Sequence, residues 1–271
     1  MQALFTAANI TLSLGFLLYA SWSDYKTREV SNRVWVIYAP LALSLSLAGF
    51  LLFDPSRLPF FVLSFGVTAA IAILLFYTGG FGGADSKALM CIALALPFST
   101  ETLFNPLISG GASPLSQILF PLTVFSNGVL FAAATGLYMI LYNILWHRRM
   151  GKKSFEGTLA AESLGKKLVA MITGHKVSMV KLKEKWHIYP MEDVEDENGA
   201  NQPKRKLIVV PKDEGRDEIV ARLSKAASSG RIDSYVWATP GLPMLIFMTV
   251  GLVVALLFGD VVWLLVSFML R

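Results

Sequence analysis

The feature that most constrains this chain is a series of apolar segments about 20 residues long. Ala3 to Trp22 and Val34 to Phe53 contain no Asp, Glu, Lys or Arg. A helix crosses the roughly 30 Å hydrocarbon layer of a membrane in about 20 residues. Charged residues are 16% of the chain, whereas soluble domains contain about 25%. We therefore predict an integral membrane protein, and the composition excludes an ordinary soluble enzyme.

Further apolar segments extend this pattern along the chain. They are Leu58 to Thr78, Asp85 to Phe98, Gln117 to Trp146 and Pro240 to Leu270. We predict an all-α polytopic membrane protein with six transmembrane helices and a small α+β cytoplasmic domain inserted before the last helix. The expected domains are a membrane core with five helices at 1–146, the soluble domain at 147–236 and the sixth helix at 237–271.

The charges are concentrated in one block. Between His147 and Val236 lie 18 of the 24 Lys and Arg residues and 13 of the 19 Asp and Glu residues. The net charge of +5 therefore belongs to this block and does not indicate a nucleic-acid partner. Loop residues Lys26, Arg28 and Arg33 are also basic, and basic loops stay in the cytoplasm. Six spans then place the N- and C-termini outside a cytoplasmic membrane, with the lipid bilayer as partner.

Local patterns predict the content of the soluble block. Some segments of the block have the spacing of apolar residues typical of helices, and others have the alternation of apolar and polar residues typical of strands. One acidic run is expected to form a solvated loop. The predicted helices are Glu156 to Thr173 and Asp213 to Ala227, the strands are Lys176 to Lys183, Trp186 to Tyr189 and Leu207 to Val210, and the loop is Glu192 to Glu197.

Cysteine and histidine usage argues against a metal site. Cys91 is the one cysteine, which excludes a disulfide framework and a Cys-rich zinc site. The three histidines, His147, His175 and His187, all fall in the soluble block and are not spaced as a metal pair. No histidine within the predicted spans is available for a Ser-His-Asp triad. We expect no metal and no cofactor.

Three carboxylates lie close to or within the apolar segments, where ionisable groups are costly. The predicted topology places Asp24 and Asp85 at cytoplasmic helix ends and Asp260 near the opposite face. Asp24 could simply end a helix beside Arg28, and Asp85 could simply cap the next helix. The competing interpretation is that both carboxylates have a function, and their position on one membrane face favours it.

The glycines before Asp85 favour a functional role. Four of the five residues from Gly79 to Gly83 are Gly, at a membrane depth where irregular backbone is tolerated beside a cavity or inside protein. The run lacks the GxxxxGK[ST] spacing of phosphate loops, and Asp85 occupies the last position that a GxGxxG motif requires. The better explanation of this glycine run is that it allows close approach by another polypeptide backbone.

Two segments resemble the prepilin peptidase family. Asp24 to Asn32 reads D-Y-K-T-R-E-V-S-N and resembles the family's D-x-K-x-R-x-[VI]-x-N segment. Gly82 to Leu89 reads G-G-A-D-S-K-A-L and resembles its G-x-G-D-x-K-x-L segment. This family comprises membrane-embedded GxGD aspartyl proteases. The soluble block and the run from Trp237 to Pro240 are similar to the archaeal preflagellin peptidase branch.

The resemblance implies an aspartic endopeptidase that removes the short basic leader from preflagellins or prepilin-like substrates at the cytoplasmic face. The substrate would carry a basic leader followed by a hydrophobic helix. The implied catalytic pair is Asp24 and Asp85. The implied substrate-binding or supporting residues are Gly82, Gly83, Ala84, Lys26, Arg28 and Lys87.

Two departures from the family pattern bear on this expectation. Ala84 stands at the second glycine of the motif, so the backbone there is less free to adopt positive φ. Bacterial relatives often carry a paired C-x-x-C zinc domain and a methyltransferase activity. A chain with Cys91 alone cannot build that domain, so we expect metal-free cleavage and no methylation.

Two other classes of function remain open at this point. A transporter or channel could use Asp24, Asp85 and Asp260 to carry protons or cations, although the spans show no inverted repeat. A non-enzymatic membrane assembly subunit would explain the soluble block but would leave the two motifs as coincidences.

Overall fold

The fold was analysed in a computed structural model, which describes residues 2–99, 106–108, 113–151, 153–195, 204–209, 215–241 and 243–270. The chain forms two compact units. The first comprises Met1–Ala132 and Pro243–Arg271, and the second comprises Ala133–Leu242. The second unit thus begins earlier than the soluble domain expected at 147–236, because it includes the last part of a long helix.

Helices dominate the described residues. They are α1 (Gln2–Thr27), α2 (Asn32–Phe53), α3 (Leu58–Tyr77), α4 (Gly83–Ala95), α5 (Pro114–Ile118), α6 (Phe120–Met150), α7 (Leu164–Thr173), α8 (Met179–Glu184), α9 (Arg216–Ser228), α10 (Met244–Phe258) and α11 (Val261–Met269). The strands are β1 (His175–Ser178), β2 (Ile188–Pro190), β3 (Glu192–Glu195), β4 (Lys204–Leu207) and β5 (Tyr235–Pro240). Helices α1 to α5, α10 and α11 belong to the first unit, and α6 runs from the first unit into the second.

Fewer helices than expected are long enough to cross a membrane. In the part of the chain that the structure describes, four helical segments meet the length and hydropathy of a span, namely α1, α2, Pro55–Tyr77 and α6. Helices α10 and α11 add a fifth if the bent pair counts as one span. Helix α4 has 13 residues, about 20 Å at 1.5 Å per residue. Helix length alone therefore gives a multi-pass protein with four or five spans, not the predicted six.

The last apolar segment is interrupted where the sequence predicted a continuous helix. Helices α10 and α11 meet at an angle of 66°. Gly259 has φ +77°, which favours glycine, and the Asp260 side chain accepts the Trp263 N–H as the N-cap of α11. The Asn127 amide donates to Gly259 O (2.9 Å) and accepts from Val261 N (3.1 Å). Side chains thus satisfy several of the backbone groups that the break leaves without helical partners.

Buried hydroxyl groups join the helices of the first unit. Tyr38 on α2 donates to Ser13 on α1 over 2.7 Å, and Ser86 on α4 donates to the Ala72 carbonyl of α3 over 3.1 Å. Such polar contacts hold membrane helices together because lipid offers these groups no alternative partner. Together they position the adjacent ends of α1, α2, α3 and α4.

The second unit contains the α+β region that the sequence predicts. Strands β1, β5 and β2 form an antiparallel sheet in that order, and β3 pairs with β4 in a separate ribbon. The alternating segment from Lys176 to Lys183 is only half strand, since α8 begins at Met179. Strand β5 extends to Pro240, so the first residues assigned to the sixth helix pair within the sheet. The predicted strand from Leu207 to Val210 and the predicted helix from Asp213 to Ala227 both include residues outside the described ranges.

The acidic run is a strand rather than a solvated loop, so that prediction was wrong. Glu192 is fully buried, and its carboxylate pairs with Arg205 and with Lys176, the latter over 3.7 Å. Asp193 is buried and pairs with Arg222 over 2.8 Å. Cations distant in sequence compensate these carboxylates, as burial of charge requires. The run's Asp196 and Glu197 lie outside the described residues.

Candidate active site

The first carboxylate lies where α1 ends. Asp24 is half-buried in the last turn of α1, and its carbonyl accepts the Arg28 N–H over 2.9 Å. Arg28 adopts φ +58°, which reverses the chain direction after the helix. The hydroxyl groups of Ser23 and Thr27 donate to the Glu29 carbonyl over 2.7 and 3.0 Å. These local bonds fix the turn between α1 and α2.

The second carboxylate lies where α4 begins. Asp85 is half-buried in the first turn of α4 and accepts the Gly82 N–H over 3.1 Å. The Ser86 N–H donates to the Gly82 carbonyl over 3.1 Å. A carboxylate at this position satisfies a free backbone donor and interacts favourably with the helix dipole. The N-cap of α4 is Gly82, so Asp85 is the third residue of the helix and not its N-cap, as the simpler interpretation of the sequence had it.

Two positions in the run from Gly79 to Gly83 favour glycine for geometric reasons. Gly79 has φ +76° and turns the chain after α3. A Cβ on Gly82 would lie 3.1 Å from the Asp85 Oδ2 atom, so glycine leaves room for that carboxylate. Ala84 lies inside the first turn of α4 and does not have positive φ. Alanine at the second motif glycine is therefore compatible with this backbone.

A side-chain contact brings the two segments together. The Lys87 ammonium donates to the Asn32 Oδ1 atom over 2.7 Å, which joins α4 to the start of α2. The Asp24 carboxylate lies close enough to Asp85 for electrostatic repulsion between them. The Arg28 guanidinium interacts electrostatically with Asp24. Asp24 and Asp85 thus lie at two different helix ends within electrostatic reach of each other.

The remaining sequence candidates differ in position. Lys26 is exposed at the end of α1, and Gly83 is half-buried as the first residue of α4. Asn32 was not among the predicted site residues, although it is the last residue of the segment from Asp24 to Asn32 and its side chain contacts Lys87. Its place as the last residue of that motif is the signal that could have identified it.

Asp260 belongs to a different place in the fold. It accepts the Ser113 hydroxyl over 2.6 Å, and neighbouring Ser116 accepts the Ser99 N–H through its carbonyl over 3.0 Å. Ser99 follows the C-terminus of α4, whereas Asp85 lies at the N-terminus of α4. The structure therefore groups Asp24 with Asp85 and places Asp260 at the other end of α4.

The cysteine belongs to the first unit and the three histidines belong to the second. Cys91 is buried within α4. His147 ends α6, and His175 lies in β1, where burial lowers its pKa and the Lys181 charge lowers it further. Across the described ranges, no three His, Cys, Asp or Glu side chains are grouped to hold a metal ion.

Comparisons with known proteins cover most of the chain. Residues 11–145 match the type IV leader peptidase family, and residues 166–261 match the archaeal peptidase A24 C-terminus type II. A preflagellin peptidase of Methanococcus voltae is 27% identical over 250 residues, which are 90% of this chain and 92% of the relative. A preflagellin peptidase of Methanococcus maripaludis (strain C6 / ATCC BAA-1332) is 24% identical over 246 residues, with the same shares. Both matched regions fall on the two units described above, and the chain belongs to the type IV leader peptidase family.

Proposed function

We propose that this protein is a membrane-embedded aspartic endopeptidase that removes the short basic leader from preflagellins or prepilin-like proteins. Asp24 and Asp85 are the catalytic pair. The observation that carries the proposal is that these carboxylates lie at two helix ends within electrostatic reach of each other, with their segments joined by the bond between Lys87 and Asn32. Membership of a leader peptidase family supports the reaction class.

The chemistry follows from two neighbouring carboxyl groups. One carboxylate takes a proton from water, which attacks the scissile carbonyl, and one carboxylic acid protonates the leaving amine. Two acidic groups this near each other favour a state with one proton between them, because the second ionisation adds a repelling charge. Lys87, Arg28 and Gly82 are positioning residues in this scheme, since each contacts one of the aspartates or its segment.

The site's position suits a substrate with a basic leader and an apolar helix. Asp24 lies one turn from the end of a helix long enough to span the membrane. With the basic turn of Lys26, Arg28 and Arg33 on the cytoplasmic side, the leader stays in the cytosol. The substrate's apolar helix lies in lipid, and the scissile bond reaches the aspartates at the boundary. Gly79 to Gly83 leave backbone space for that segment.

A cleavage assay tests the assignment. Purified protein in detergent, with a preflagellin-like substrate, should shorten the substrate in the wild type and should be at least about a hundredfold slower as Asp24→Asn or Asp85→Asn. Asp260→Asn is the matched control, because asparagine also caps a helix and Asp260 lies at the other end of α4. It should cleave at the wild-type rate, and a chelator should leave that rate unchanged.

The outcomes separate the proposed peptidase from its rivals. Normal cleavage by folded Asp24→Asn and Asp85→Asn proteins would remove this pair from the mechanism. A wild type that cleaves no leader but moves protons across vesicle membranes would instead support a transporter. Loss of cleavage in Asp260→Asn alone would relocate the site to the break between α10 and α11.

A further inference from the structure

Helix α7 in the second unit exposes an apolar stripe. Leu164 is 83% exposed and Leu168 is 55% exposed, and they lie one turn apart on the same face. The opposite side of α7 is buried, since Ala170 is 1% exposed and packs in a cluster with Trp237. A soluble helix would normally present polar side chains at these two positions.

Specific contacts fix α7 against α6. The Asn143 side chain of α6 donates to the carbonyls of Met171 and Gly174 over 2.9 and 2.7 Å. The Ile172 methyl group lies 2.8 Å from the place that a Cβ on Gly136 would occupy. The C-terminal end of α7 therefore packs between Gly136 and Asn143 of α6.

That part of α6 has a lipid-facing composition. Leu137 and Leu141 are 68% and 61% exposed, and Leu145 is also exposed. Gly136 precedes the last residue of α6, Met150, by 14 positions, about 21 Å along the helix axis. Helix α7 thus lies beside a segment of a membrane-spanning helix whose exposed side chains include three leucines.

We propose that α7 is an interfacial helix that places Leu164 and Leu168 in the boundary between lipid headgroups and acyl chains. The occupant of the exposed stripe is the lipid surface, because α7 packs against a part of α6 that itself exposes apolar side chains. Lys167 lies beside this face, and Arg148 and Arg149 are exposed at the end of α6. A mixed apolar and basic face is the pattern of helices that lie in the membrane interface.

The consequence is a second attachment of this unit to the bilayer. The chain leaves α6 at Met150 and enters β1 through α7, so the unit would contact the bilayer at α7 as well as at α6. Docking of α7 holds β1 and the loops that follow it at a defined height above the membrane. This role is independent of the proposed peptidase chemistry.

An environment-sensitive fluorophore tests the proposal on the full-length protein in vesicles of phosphatidylcholine and phosphatidylglycerol. Cys91→Ala removes the native thiol, and Leu168→Cys carries the probe. Val180→Cys on α8 is the matched control, because Val180 is 67% exposed in the same unit. The probe at position 168 should emit at shorter wavelength than at position 180. Lipids with a spin label near the headgroup should quench the probe at position 168 at least about twofold more than the probe at position 180, because interfacial insertion brings position 168 within the headgroup region.

Two results would overturn the proposal. Equal emission and equal quenching at positions 168 and 180 would mean that α7 has no preferred contact with lipid. A shift at position 168 that disappears as the protein is diluted in lipid would assign the stripe to a second copy of the chain. A Leu164→Cys protein provides a second measurement, and it should follow position 168 rather than position 180.

Discussion

At the scale of single residues, the proposed chemistry depends on where Gly82 allows the Asp85 carboxylate to lie. Gly82 has an extended backbone, φ −72° and ψ 161°, which alanine also adopts. A Cβ there would lie 3.1 Å from Asp85 Oδ2, tighter than an ordinary contact. We expect Gly82→Ala to lower kcat by about tenfold, because displacing a catalytic group by less than 1 Å is costly. Steady-state kinetics on a leader-bearing substrate measures this.

The neighbouring glycine is the control for this prediction. A Cβ on Gly83 would meet only the Phe76 ring, at 3.7 Å, which is an ordinary contact. Gly83→Ala should therefore keep kcat within about twofold of the wild type, because Asp85 does not have to move, and any effect of the lost space for substrate should appear in KM. Equal effects of the two substitutions would show that backbone flexibility, rather than the Asp85 position, controls the rate.

Sequence reasoning predicted a role for Asp24 and Asp85 from local motifs, and it was wrong about the environment of Glu192 and Asp193. The first pair is visible in short local motifs, which need no knowledge of distant residues. The second pair reads locally as a solvated acidic run, and the cations that compensate it come from β1, β4 and α9. A local pattern contains no information about such partners, so their burial could not be predicted.

The buried acidic residue has a measurable effect on stability. Glu192→Gln would leave Arg205 and Lys176, each about one-tenth exposed, without their carboxylate. Burial already lowers the pKa of Lys176, and the Glu192 charge opposes that change. We expect a loss of about 3–5 kcal/mol in the free energy of unfolding, as for other broken buried pairs. Thermal unfolding of the detergent-solubilised protein measures it.

Glu195 on the same strand gives the comparison. Its carboxylate is 45% exposed and pairs with Lys206 over 2.6 Å. Glu195→Gln should change the free energy of unfolding by less than about 1 kcal/mol, because exposed ion pairs contribute little. If the two variants unfolded at the same temperature, the pairing of Glu192 would not be a major source of stability.

At the scale of elements, apolar length predicts the long helices well and the interrupted ones poorly. Helices α1, α2 and α3 lie close to their predicted ranges because a 20-residue apolar run has few alternatives in a membrane. The break at Gly259 and Asp260 depends on Asn127 of α6, which is more than 130 positions away. A composition scan cannot detect a helix end that a distant side chain satisfies.

The pairing of α6 with α10 depends on backbone contact between glycines. A Cβ on Gly251 would press on the Val124 carbonyl and lie 2.8 Å from Gly128 N. Small residues allow membrane helices to approach this closely. We expect Gly251→Ala to lower the free energy of unfolding by about 1–3 kcal/mol, because the added methyl group forces the helices apart. Gly66→Ala on α3, where a Cβ meets nothing within 4 Å, should leave the melting temperature unchanged. An equal loss in both variants would contradict the close-packing explanation.

At the scale of the whole molecule, the open question is whether α4 completes a membrane crossing despite its length. The Ser64 hydroxyl near the start of α3 donates to the Pro97 carbonyl just after α4, over 3.0 Å. The Phe120 N–H at the start of α6 donates to the same carbonyl over 3.2 Å. Ser64 is the seventh residue of α3, about 9 Å from its first residue. The residues just after α4 therefore lie close to the beginning of α3, and α6 starts at the same place.

We therefore predict that α4 counts as a crossing and that residues near both chain ends face the same side. Single cysteines at Gln2, Glu29 and Leu270 would be labelled with an impermeant maleimide in sealed right-side-out vesicles. Native Cys91 is buried and gives a low background. Gln2→Cys and Leu270→Cys should react from outside, and Glu29→Cys should react after permeabilisation, because basic turns are expected on the cytoplasmic side. Labelling of positions 2 and 270 from opposite sides would mean an odd number of crossings. Helix α4 would then re-enter the face it left, and Asp85 would need another route to the side occupied by Asp24.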